Sequence, residues 1–130
     1  MAATTAAQMV QDARARTETL TPAQVADELA HGAVLVDIRE PTEHVQTGVI
    51  PGSVSAPRGM LEFWADPASP YHRAEFDPAR RVILHCASGG RSALAADTLK
   101  QLGYENVAHM DGGIKAWTDA GQPVEQPPGS

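Results

Sequence analysis

At 130 residues the chain fits one domain with a modest core, and its 42% apolar and 20% charged residues are those of an ordinary globular protein. A formal net charge of −6, with no run of Lys or Arg, argues against nucleic acid as a partner and makes any positive site a local one. The single cysteine excludes an intrachain disulfide, a C-x-x-C redox pair and a thiolate zinc cluster.

In chain order, residues 1–17 form an alanine-rich extension with Met9 and Val10 as its large apolar pair. It lacks the continuous hydrophobic stretch of a secretory signal, and nothing later approaches membrane-spanning length. The expectation is a cytoplasmic protein with no membrane partner. The extension is expected to fray in solvent, or else to fold as a helix on the domain or on a second subunit, which leaves monomer and homodimer both open.

Residues 18–20 suit a short edge strand. Thr21 and Pro22 then give a helix-start signal, Val25, Ala26 and Leu29 an apolar face, and His31-Gly32 a stop. Residues 33–36 are wholly apolar, as a parallel strand buried on both faces requires, and they deliver Asp37-Ile38-Arg39-Glu40 to the carboxyl end, the functional edge of such a sheet. Asp37 and Arg39 are candidates to support a neighbouring loop by hydrogen bonds, with a helix cap and a solvated ion pair as the plain alternative.

Glu43 and His44 fall on a short polar helix, Gly48-Val49-Ile50-Pro51-Gly52 is a structural turn, and residues 53–55 make a short strand. Arg58 leaves that strand at the same edge and is a candidate for binding an anionic substrate; its alternative is a surface arginine. Phe63 and Trp64 read as core at helical spacing or as a hydrophobic lip, and residues 66–80, with three prolines, as a long loop shaping access.

The central stretch is Arg81-Val82-Ile83-Leu84-His85-Cys86-Ala87-Ser88-Gly89-Gly90-Arg91-Ser92, read as strand, loop and helix start. Small residues let successive backbone N–H groups turn inward, and the first-turn donors of the next helix lack intrahelical partners and carry the positive end of its dipole. Such a nest cradles negative charge, which Cys86 supplies as a thiolate. A lone cysteine is more often a small buried hydrophobe, but its place at a strand's carboxyl end, opening a glycine loop that closes on arginine, favours a site. Alternation along the strand points His85 away from Cys86, towards packing or a local hydrogen bond. The remaining histidines, His31, His44, His72 and His109, have no metal-ligand spacing and read as surface or packing residues.

Leu102-Gly103 ends the following helix, residues 107–110 give a last strand, and Asp111-Gly112-Gly113 turns into a final helix with Ile114 and Trp117 as a packing pair. From Gln122 the proline-bearing tail is expected to be disordered. The divisions are an extension over 1–17, a domain over 18–124 and a flexible tail over 125–130. Strands and helices alternate, which predicts an α/β, doubly wound, mainly parallel sheet with helices on both faces.

Three stretches carry a family resemblance: Leu35-Val36-Asp37-Ile38-Arg39-Glu40 with Gly48-Val49-Ile50-Pro51-Gly52-Ser53, then the Cys86 to Ser92 loop, then Asp111-Gly112-Gly113-Ile114-Lys115-Ala116-Trp117. In that order and spacing the chain resembles a single-domain rhodanese, a sulfurtransferase. The resemblance implies five strands and a catalytic Cys86 that cycles between thiolate and persulfide. It implies a donor such as thiosulfate or a persulfide, and cyanide, a thiol or a protein as acceptor. The loop residues Ala87, Ser88, Gly89, Gly90, Arg91 and Ser92 would bind substrate and stabilise the thiolate, with no metal or organic cofactor. Phosphatases and arsenate reductases of the same fold carry a loop one residue longer, C-x5-R against the C-x4-R found here, and a non-catalytic docking module is a third class. Two departures matter: the four residues between Cys86 and Arg91 are uncharged, leaving Arg58 and Arg91 as the sources of attraction for thiosulfate, and Val49 stands where the family has histidine.

Overall fold

The computed structural model describes residues 3–128. Its five strands are β1 (Glu18–Leu20), β2 (Val34–Asp37), β3 (Val54–Ser55), β4 (Val82–His85) and β5 (Val107–Met110), and they form one sheet in the order β1-β5-β4-β2-β3. Every pairing within it is parallel. The helices are α1 (Ala6–Arg16), α2 (Pro22–Ala30), α3 (Pro41–Thr47), α4 (Leu61–Ala65, after a 3-10 turn Arg58–Met60), α5 (Gly90–Gln101) and α6 (Gly113–Asp119). The expected α/β sheet, covered on both faces, is therefore the fold. Residues 66–81 hold no helix or strand, as read.

The apolar strands form because each is covered on both sides. Val36, Leu84 and Val82 pack with Ala95, Ala96 and Leu99 of α5 on one face, while Leu35, Ile83 and Ala108 pack with Val25, Ile114 and Trp117 on the other. Alternation carries Cys86 onto the α5 side and turns His85 away. Thr21 caps α2 through a capping box with Gln24 and Pro22 in the first turn, as the sequence signals. The register of β2 on β4 places Asp37 beside His85, so both reach the carboxyl edge at the same level.

The extension folds as a helix on the domain, one of its two expected outcomes, and the tail is ordered further than expected. Thr5 caps α1, Ala13 is fully buried, and Arg16 and Arg14 reach Asp97 and Asp111 at 2.7 and 3.1 Å. A single small buried residue lets α1 lie close on α5, a signal too short to show as periodicity. After α6, Trp117 Nε1 donates to the Pro123 carbonyl at 2.8 Å, and Val49 and Glu125 exchange backbone hydrogen bonds at 2.8 and 2.9 Å. The order of the tail thus extends past Gln122, and the last two residues of the expected flexible tail lie outside the described residues. Phe63 is half-exposed, edge-on to Tyr71, whereas Trp64 packs on the core under the Arg73 guanidinium, 3.5 Å from its ring centre.

His109 on β5 is fully buried; its Nε2 lies 3.0 Å from Thr19 Oγ1, and its Nδ1 has no partner. Burial pushes its pKa down from 6.5 to about 4, and burial also lowers that of His85. The folded state therefore resists a proton that the unfolded chain accepts below the ordinary value. Stability is full above pH 6.5 and declines as pH falls towards about 4. Denaturant unfolding across that window should show this slope, and His109→Asn should make it shallower.

Candidate active site

β4 ends at His85 and hands Cys86 to a loop that turns at Gly89, whose φ of +108° suits glycine, before α5 begins at Gly90. The Gly89 N–H donates to Cys86 Sγ at 3.1 Å. Sγ lies 3.6 Å from Ser92 Oγ, which itself donates to the Gly89 carbonyl at 3.2 Å and so closes the loop. Among the described residues, the amides of Ser88, Gly90, Arg91 and Ser92 donate to no protein acceptor. The loop thus carries four unused amide donors next to a buried cysteine whose sulfur accepts from the Gly89 N–H.

The start of α6 fixes the first two carbonyls of the loop. Ile114 N–H donates to the Cys86 carbonyl at 2.9 Å and Lys115 N–H to the Ala87 carbonyl at 3.2 Å. In a trans peptide the N–H points opposite its C=O, so drawing the Ala87 carbonyl towards α6 turns the Ser88 N–H the other way. Gly113 makes the close approach feasible. Its φ is +61°, and a Cβ there would lie 2.5 Å from the Ala87 carbonyl carbon and from the Cys86 oxygen.

Arg91 is gripped at the far end of the loop by Glu43 of α3, with hydrogen bonds of 3.0 and 2.8 Å. The Arg91 guanidinium holds the Glu43 carboxyl at about 2. Glu43 thereby anchors the loop, a role that reading it as one residue of a polar helix did not anticipate. Its place three residues after Glu40, where it also caps α3, was the available signal.

Asp37 and Arg39 are not a solvated pair: both are 1% exposed. Arg39 meets both carboxylate oxygens, at 3.0 and 2.8 Å, and also donates to the Gly48 carbonyl and the Thr47 hydroxyl at the end of α3. Burial opposes ionisation of Asp37, but the Arg39 hydrogen bonds and the neighbouring His85 outweigh it and lower its pKa. Removing either partner would leave an uncompensated buried charge, at about 3–5 kcal/mol. The pair makes no hydrogen bond to the Cys86 loop; it fixes α3, which carries Glu43. His85 is the nearer support, its Nδ1 lying 3.4 Å from the Cys86 carbonyl oxygen and its Nε2 3.6 Å from Asp37 Oδ2. The structure also gathers His44 here, with Nε2 3.3 Å from the same oxygen.

Arg58 is not brought to the loop. It pairs with Glu62 at 2.8 Å and reaches the Thr98 hydroxyl at 3.4 Å, about 10 Å along α5 from Arg91. The 3-10 turn beginning at Arg58 redirects the chain after β3 and lays the side chain along the helix flank.

A rhodanese-like domain model matches residues 21–120, and the chain belongs to that family. It is 38% identical over 96 residues, 74% of this chain and 81% of the relative, to a protein of Allochromatium vinosum named sulfurtransferase. A solved structure from Rhodopseudomonas palustris, of unknown function and named a possible tyrosine phosphatase, superposes with a TM-score of 0.90 at 44% identity, covering 96% of this chain and 97% of its own. The Wolinella succinogenes polysulfide-sulfur transferase homodimer superposes at 0.74 with 26% identity, over 92% of this chain and 86% of its own. No helix among the described residues is long and apolar enough to cross a membrane.

Two outcomes follow from the geometry. Gly113→Ala should destabilise the protein by about 3 kcal/mol or more, because it adds a backbone clash to the positive-φ cost, while Gly121→Ala, with φ +79° and open space around it, should cost about 1 kcal/mol; denaturant melts compare them. Arg58→Ala should leave an anionic donor's KM within about twofold in steady-state assays.

Proposed function

We propose that the chain is a sulfurtransferase that carries a sulfane sulfur on Cys86. The observation behind this reading is the geometry of the loop: one thiol, held by the Gly89 N–H at 3.1 Å, in a loop whose Ser88, Gly90, Arg91 and Ser92 amides have no protein acceptor among the described residues. The Cys86 thiolate attacks the outer sulfur of the donor. One S–S bond forms and one breaks; with thiosulfate, sulfite leaves with the bonding electrons and Cys86 keeps the persulfide. An acceptor thiolate or cyanide then takes the terminal sulfur and regenerates the thiolate, without net redox change. Donors aimed at the sulfur favour both anionic forms, as an oxyanion hole favours an alkoxide. Ala87 to Ser92 form this cradle, with Ser92 closing it and Arg91 fixing its end. Asp37 and Arg39 support it through α3.

Phosphatase activity is the second reading, because of the name borne by the Rhodopseudomonas palustris structure. The loop argues against it: C-x4-R is one residue shorter than the phosphate-sized loop, and both terminal Nη groups of Arg91 already donate to Glu43. Thiosulfate is best read as a surrogate donor, since the loop residues are uncharged and Arg58 lies on the flank of α5. A cytoplasmic location and a protein acceptor remain part of this proposal, as does the choice between monomer and homodimer.

Intact mass after incubation with thiosulfate or a persulfide should show a gain of about 32 Da, reversed by cyanide. Cys86→Ser should show none. Uptake retained in that variant would overturn the mechanism, and hydrolysis of an aryl phosphate without sulfur uptake would favour the phosphatase reading.

A further inference from the structure

Beside the loop lies a trough of about 650 Å³ between α3 and α6, ending against Ala87 and Ser88. That size falls in the range of roughly 300–1,000 Å³ that holds organic ligands, far more than an inorganic sulfur donor fills. Ile114 and Ala87 contribute apolar surface, and Gln46, Thr47 and Thr118 contribute uncharged polar groups.

Its charged lining is two cations, Arg39 and Lys115, and two anions, Glu43 and Asp119. Each already has a partner: Arg39 on Asp37 at 2.8 Å, Glu43 on Arg91 at 2.8 Å, and Lys115 on Asp119 at 3.0 Å. A dianion entering the trough meets no unmatched cation. An uncharged organic body needs none, and it gains by covering apolar surface.

We infer that this trough is a subsite for the uncharged organic body of a small persulfide or thiol, whose sulfur end reaches over the Ala87-Ser88 rim into the amide cradle. The sulfur end rests on the sulfurtransferase reading; the body rests on the trough alone. In the transfer, the Cys86 thiolate forms a bond to the terminal sulfur of R–S–S⁻, the S–S bond that joins this sulfur to R–S breaks, and R–S⁻ leaves with the electron pair. Delivery to a thiol acceptor is the same step reversed, with R seated in the same place.

The test has two arms on the full chain. In the first, the Cys86→Ser protein is titrated with N-acetylcysteamine, whose body carries no charge, and followed by amide NMR. Saturable shifts at Gln46, Ile114 and Thr118 are expected, whereas no shifts, or shifts confined elsewhere, would overturn the subsite whatever the chemistry at Cys86. In the second, kcat/KM is measured for N-acetylcysteamine persulfide and for thiosulfate in the otherwise native protein and in Thr118→Trp, which narrows the trough at an exposed position. The ratio of organic to inorganic donor should fall by about tenfold or more. A ratio unchanged within about threefold in a variant with native circular dichroism would overturn the proposal. Absence of sulfur uptake at Cys86 from either donor, with the NMR shifts present, would instead remove the sulfurtransferase reading and leave the subsite standing.

Discussion

Two peptide carbonyls facing the wrong way would undo this site. The oxygens of Cys86 and Ala87 are held by the first amides of α6, and the space for that contact exists because residue 113 has no side chain. Once those carbonyls are taken, the next N–H groups have to point away from α6. The rest of the fold serves this contact: the sheet sets the height of Cys86, the Ile114 and Trp117 face of α6 seats that helix in the core, and α1 touches the same turn through Arg14 and Asp111.

The proposed chemistry relies on backbone dipoles for its anions, and the cationic side chains around the loop act as fasteners. Arg39 secures α3, Arg91 secures the loop to α3, and Arg58 lies along α5. In a chain of net charge −6 this has a selective effect. Fixed amides favour a negative sulfur once it is in place, but they exert little long-range pull on a small dianion in solution. Recognition then falls to contacts made next to the loop, where the chain is uncharged or internally paired.

The strands and their order along the chain were legible in the sequence because parallel strands buried on both faces leave unbroken apolar runs, and residues 33–36 and 82–84 are of that kind. The strand, loop and helix start around Cys86 were legible from the apolar run before it and the small residues after it. What could not be read were long-range partners. Glu43 looks like any helix-surface carboxylate until Arg91, forty-eight residues later, is set against it. Arg58 had the right strand but the wrong direction, since a 3-10 turn after β3 is not marked by composition. Asp37 and Arg39 share two sequence positions with many solvated pairs, and only the depth of the β2 end buries them. The ordered tail escaped notice for the same reason, since a single backbone bridge at Glu125 leaves no periodic trace, and a lone buried Ala13 could not decide between the two outcomes open to the extension.

Cys86 is 1% exposed and has no second cysteine in the chain to resolve it. If peroxide oxidised it to a sulfenic acid, no internal disulfide could capture that state before it advanced to the irreversible sulfinic and sulfonic acids. Rescue would have to come from a thiol in solution, arriving by the route a sulfur substrate uses. The closeness of the loop around its sulfur therefore also governs how long the protein survives in an oxidising cell, and whatever opens the cradle to substrate opens it to damage.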